Sequence, residues 1–145
     1  MKKIILLFSL AISILASCKS HYKPVLTSSQ GINFKVTSLD SALNESKASK
    51  KPLFVFAHAS WCPTCREMEK TVLNQKLLGD AYNNNLINVA IDIDSSTGKL
   101  LQQSYPIRAT PTLFFFRSDG TLEKKVEGAT TALELIRIEK QLVQN

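Results

Sequence analysis

The sequence predicts an α/β fold in which a central mixed β-sheet is flanked by helices. Two observations lead there. Apolar runs at Leu53–Ala57, Leu86–Asp92 and Thr112–Phe116 are separated by stretches with helical spacing, the pattern of a βαβ unit. The third run is followed by Ser118-Asp119-Gly120 and a further run from Thr121 to Glu127, which together read as a β-hairpin. A length of 145 residues suits one domain with one sizeable core.

The N-terminus is a targeting signal rather than a fold element. Met1-Lys2-Lys3 is a short positive region, and Ile4 to Ala16 is apolar but too short for a comfortable membrane span. The stretch ends Leu15-Ala16-Ser17-Cys18, and small residues before a cysteine resemble the lipobox of bacterial lipoproteins. That resemblance implies cleavage before Cys18 and lipidation of Cys18; the plain alternative is an ordinary signal cut nearby with Cys18 free. Three cysteines is an odd count for an exported chain, and lipidation of Cys18 would leave only Cys62 and Cys65. The expected layout is a lipoprotein signal peptide over residues 1–17, a polar tether over 18–31 and a domain over 32–145. His21 falls in the tether and reads as solvated.

Charge bounds the partners. The formal charge of +6 falls to +4 once Lys2 and Lys3 are removed, and the remaining excess forms no dense basic block. It favours acidic partners or an anionic surface and speaks against nucleic acid.

Within the domain, Phe34 and Val36 alternate with polar residues, so Asn33 to Thr37 reads as a short strand. Ser38 is an N-cap for a helix from Leu39 to about Ser49, with Leu39, Ala42 and Leu43 on one face. Lys50-Lys51-Pro52 ends that helix, and Leu53 to His58 is the central strand. A helix is expected from Cys62 to about Leu73 and a shorter one from Leu77 to Asn83, stopped by Asn83-Asn84-Asn85. Ile87, Val89 and Ile91 mark the next strand; Thr97 to Ser104 is helical and Pro106 stops it. Gly128 ends the hairpin, Thr130 can cap, and Ala132 to Val143 is a final helix with Leu135, Ile138 and Leu142 inward.

The chemistry sits at Ser60-Trp61-Cys62-Pro63-Thr64-Cys65-Arg66, between the central strand and a helix. A thiolate at a helix start lies over unpaired backbone N–H groups and the positive end of the helix dipole, which lowers its pKa. A second cysteine three residues on lies one turn along the same face and can close a disulfide with the first. Pro63 fits a first turn, where no helical N–H is lost. A structural disulfide or half of a zinc site are the competing readings. Zinc normally needs a second ligand pair, and no further Cys-x-x-Cys or His-x-x-x-His exists.

With Tyr105-Pro106-Ile107-Arg108-Ala109-Thr110-Pro111-Thr112 added, the chain from about Asn33 onward resembles the thioredoxin-fold family. Pro111 follows Cys65 by 46 residues and resembles the family's loop proline before an apolar strand, and Gly128 matches the break before the last helix. Lys51-Pro52 and Cys65-Arg66-Glu67-Met68-Glu69-Lys70-Thr71 are similar to one subgroup, the exported thioredoxin-like domains of bacteria, including the terminal domain of transmembrane electron carriers. The resemblance implies that Cys62 is the exposed nucleophile and Cys65 the buried resolving thiol. It implies a cis bond before Pro111, where proline alone would favour trans, and a substrate surface made by Trp61, Thr110 and Pro111. One departure is plain. The family usually carries a buried Asp five residues before the tryptophan, and Phe56 stands there. His58 shares that strand face and is a packing residue or a substitute for proton handling.

The implied activity is that of a thiol–disulfide oxidoreductase, facing the periplasm of a bacterial envelope and held there by lipid. Its redox-active group is the Cys62–Cys65 pair, with no other cofactor and no metal. Its partners would be disulfide-containing proteins and a membrane or soluble thiol electron donor. The direction of electron flow is open, because the dipeptide between the cysteines tunes the potential over about 150 mV. A copper- or zinc-handling or redox-sensing module built on His58, Cys62 and Cys65 is the alternative. A binding module with a purely structural disulfide is a third.

Overall fold

The computed structural model describes residues 30–144, so the expected signal peptide, Cys18, His21 and most of the expected tether lie outside the described residues. Four strands form one mixed sheet: β1 (Leu53–His58), β2 (Ile87–Asp92), β3 (Thr112–Phe116) and β4 (Leu122–Glu127), in the order β2-β1-β3-β4. β1 runs parallel to β2 and antiparallel to β3, with Phe56 opposite Ala90 on one side and Leu113 on the other. Five helices flank it: α1 (Leu39–Ser49), α2 (Pro63–Met68), α3 (Lys76–Asn85), α4 (Ser96–Ser104) and α5 (Ala132–Gln144). No helix among the described residues is long and apolar enough to cross a membrane.

Both inner strands are buried along their whole length, which explains their unbroken apolar runs. Phe54 stacks on Phe115 with ring centroids 5.0 Å apart and meets Tyr82 of α3 edge-on at 5.1 Å. Tyr82 in turn donates its hydroxyl to Leu135 O of α5 at 2.9 Å, tying α3, α5 and the sheet into one core. Burying an aromatic ring of this kind contributes roughly 1.5–3 kcal/mol.

Local chemistry sets the helix ends. Ser38 caps α1 by accepting the Ser41 N–H at 3.2 Å, as its type and position predict. Thr131, not Thr130, caps α5: its Oγ1 accepts the Glu134 N–H at 3.2 Å, because the helix begins at Ala132. The three asparagines do not stop α3 at residue 83. Their side chains find partners, Asn83 Oδ1 from Asn33 N at 2.9 Å and Asn85 Nδ2 to Glu139 at 2.7 Å, so the backbone stays helical to Asn85.

Two further expectations are corrected. Residues 33–37 form a single bridge rather than a strand, with Lys35 paired to β2 through Asn88 O at 2.9 Å and Ala90 N at 3.0 Å. The helix expected from Cys62 to Leu73 is α2 followed by a π-helical turn, Glu69–Leu73. Gly31 is already part of the packed domain, lying against Leu73 and Asn74.

Candidate active site

The site forms where β1 ends and α2 begins. Cys62 is the N-cap of α2 in extended backbone, Pro63 occupies the first helical position, and Cys62 Sγ accepts the Cys65 N–H at 3.0 Å. The turn is closed by Cys62 N to Ala59 O at 3.1 Å, and Arg66 Nη1 donates to Ser60 O at 2.9 Å. Cys62 and Cys65 are joined by a disulfide with Cα atoms 5.3 Å apart. A sulfur held over a helix N-terminus is stabilised as an anion once the bond opens.

Cys62 is not the exposed residue that the resemblance implies. It is only 2% exposed and Cys65 is fully buried. In the closed pair the Cys62 sulfur turns in toward the helix start, and the outer surface of the turn belongs to Trp61, Pro63 and Thr64. Trp61 is 60% exposed, and its indole Nε1 donates to Asp94 Oδ2 at 2.8 Å.

The second half of the site is the loop before β3. The Thr110–Pro111 peptide bond is cis and Pro111 is buried. Hydrogen bonds clamp the loop on both sides of Thr110: Thr112 Oγ1 to Ala109 O at 2.6 Å, Gly128 N to Pro111 O at 2.7 Å, and the Arg108 N–H to the Glu127 carboxylate. Trp61, Ile93, Ile107, Arg108, Ala109 and Thr110 line one shallow groove, so the loop and the cysteine turn share a surface. Trp61, Cys62, Cys65, Thr110 and Pro111 therefore come together at one end of the sheet.

His58 lies beneath this site. It is 3% exposed, faces Asp92 across β1 and β2, and its Nδ1 is buried without a hydrogen-bond partner. Burial pushes its pKa below the ordinary 6.5, and the Asp92 carboxylate partly opposes that. Phe56, 1% exposed, packs between His58 and Phe34 and leaves no carboxylate in that strand position. Among the described residues no three metal-ligating side chains cluster. Two participants carry no sequence signal of their own: Asp94, which anchors Trp61, and Arg108, which lines the groove.

The thioredoxin-like domain family matches residues 39–142, which includes both halves of the site. The chain belongs to the thioredoxin-like family of thiol–disulfide oxidoreductases. The solution structure of a proposed disulphide-isomerase from Bacteroides thetaiotaomicron superposes on this thioredoxin-like chain with a TM-score of 0.68. That pair is 32% identical and the match covers 80% of this chain and 96% of the other. The thiol:disulfide interchange protein DsbD of Pseudomonas fluorescens is 27% identical over 84 residues, 57% of this chain. Thioredoxin Y2 of Arabidopsis thaliana is 36% identical over 97 residues, 65% of this chain. The thioredoxin-like chain spans only 14% of that DsbD and 53% of that thioredoxin.

Proposed function

We propose that this thioredoxin-like chain reduces disulfides of exported proteins in a bacterial cell envelope, anchored there by lipid on Cys18. The Cys62 thiolate attacks one sulfur of the substrate disulfide. The substrate S–S bond breaks, a Cys62–substrate bond forms, and the second substrate sulfur leaves as a thiolate that takes up a proton. Cys65 then attacks Cys62, closing the intramolecular disulfide and releasing the substrate sulfur that Cys62 had bound as the remaining thiol. Two electrons have passed to the substrate, and a dithiol donor must return them to Cys62–Cys65.

The observation that carries this reading is the shared surface of the cysteine turn and the Thr110–Pro111 loop beside exposed Trp61. The Thr110 backbone lies between clamped neighbours, free to pair with an extended substrate segment. The similarity to DsbD supports an envelope setting, and the Leu15-Ala16-Ser17-Cys18 sequence supports the anchor.

Turnover of a disulfide-bonded test protein such as insulin, with dithiothreitol as donor, tests the chemistry. Cys62→Ser should abolish it, and Cys65→Ser should trap mixed disulfides because attack proceeds but resolution cannot. Mixed disulfides on the Cys62→Ser protein would overturn the roles. For the anchor, Cys18→Ala should move the protein from membranes to the soluble fraction; firm retention would sink it.

A further inference from the structure

The groove beside the disulfide is apolar at its floor, but its rim carries charges, and they are not equally committed. Asp94 spends a carboxylate oxygen on the Trp61 indole. Lys125 donates to Glu127 and to Pro106 O, with its ammonium 5.8 Å from the centre of the Phe114 ring. Glu127 is held by that lysine, which keeps its carboxyl below the usual carboxylate range, and it also accepts the Arg108 backbone N–H. The guanidinium of Arg108 is the exception. It is exposed and makes no direct ion pair or side-chain hydrogen bond among the described residues, standing only in the field of the Glu127 carboxylate. Arg108 lines the groove with Trp61 and Thr110, and also the adjoining hollow with Pro106, Lys125 and Glu127. A cation between the substrate groove and its extension meets whatever flanks the substrate cysteine.

We infer that Arg108 selects substrates, favouring disulfides whose cysteine is flanked by Asp or Glu and disfavouring those flanked by Lys or Arg. The inference rests on the oxidoreductase reading and adds the charge of the substrate to it. A guanidinium offers a planar fork that pairs with a carboxylate, and with no direct hydrogen bond to Glu127 to break it gives up little to do so. Rim charges act mainly on encounter and on rejection of the wrong partner, so the effect is modest and fades with salt.

The test uses the full chain with Cys18→Ala and Cys65→Ser, which leaves Cys62 as its single thiol. Two peptides of one sequence, flanked by Glu or by Lys, carry their cysteine as a disulfide with nitrothiobenzoate. Attack by Cys62 on the peptide sulfur releases the coloured thiolate and forms the protein–peptide disulfide. The second-order rate should favour the Glu peptide about two- to five-fold at low salt, as expected for an exposed charge pair, and the ratio should approach one in 0.5 M salt. Arg108→Glu should invert the ratio, and Arg108→Lys should keep its direction. An unchanged ratio in Arg108→Glu would assign the preference to the protein's overall charge and overturn the inference. Equal rates for the wild-type groove would do the same. Because this single step needs no turnover, loss of insulin reduction by the unmodified chain would sink the oxidoreductase reading alone.

Discussion

His58 lies flat against Phe56, with ring centroids 5.4 Å apart and planes inclined by 15°. Both rings are buried, and the imidazole has lost water at Nδ1 without gaining a partner among the described residues. Stability should therefore depend on pH through His58. Its folded pKa is lowered, so the unfolded chain takes up the proton first. Stability is complete above the ordinary value of 6.5 and falls as pH drops below it, by up to about 1.4 kcal/mol per pH unit until the folded ring protonates. The Asp92 carboxylate limits the span of that fall. Urea denaturation at pH 7 and pH 5 should show His58→Phe losing less stability than wild type; equal losses would mean that His58 is not desolvated.

Asp94 holds Trp61 in place at the groove edge. Asp94→Ala should raise KM for peptide disulfides about two- to five-fold while costing less than about 1 kcal/mol of stability, because the bond is exposed. Trp61 is the sole tryptophan, so its fluorescence should report the released indole directly. An unaltered emission spectrum with unaltered KM would show that the hydrogen bond positions nothing.

Two neighbouring threonines separate cap from bystander. Thr131→Ala should cost about 1 kcal/mol by orphaning the Glu134 N–H, and Thr130→Ala should fall within about 0.5 kcal/mol of wild type. Thermal unfolding of the two variants checks this, and the reverse ranking would refute the cap.

Gly79 marks a close approach of chain segments. A Cβ there would come within 2.1 Å of Gln30 O and 2.7 Å of Gly31 O, both backbone atoms. Gly79→Ala should destabilise by about 1–3 kcal/mol, as overpacking does, measured as a lower denaturation midpoint. A neutral result would mean that residues 30–31 can lift off α3 at little cost.

What was legible in the sequence had local causes. The span of β1 follows from its apolar run between Pro52 and the cysteine turn, and the ends of α1 from Ser38 and Lys50. The turn at Cys62–Cys65 was legible because helix-start chemistry needs only adjacent residues. What was missed is tertiary. The Trp61–Asp94 bond joins residues 33 apart in the chain, and nothing near Asp94 announces its partner. The asparagines at 83–85 carry a stop signal that side-chain partners on residue 33 and on α5 override. The burial of Cys62 beside the fully buried Cys65 is set by how the turn packs, which composition cannot express.

The sheet has two outer edges, and each decides how the protein behaves when crowded. Along β2, the Lys35 bridge occupies backbone groups at the centre of that edge, and Lys35 and Glu45 pair beside it. Along β4, Glu123, Lys124, Lys125 and Glu127 put charge on nearly every residue, with Arg117 and Glu134 drawn into ion pairs. Short, charged or covered edges resist addition of a strand from a neighbour. The same β-rich core that supports the cysteine turn is thereby withheld from intermolecular pairing, and copies concentrated on a surface are kept from joining sheet to sheet.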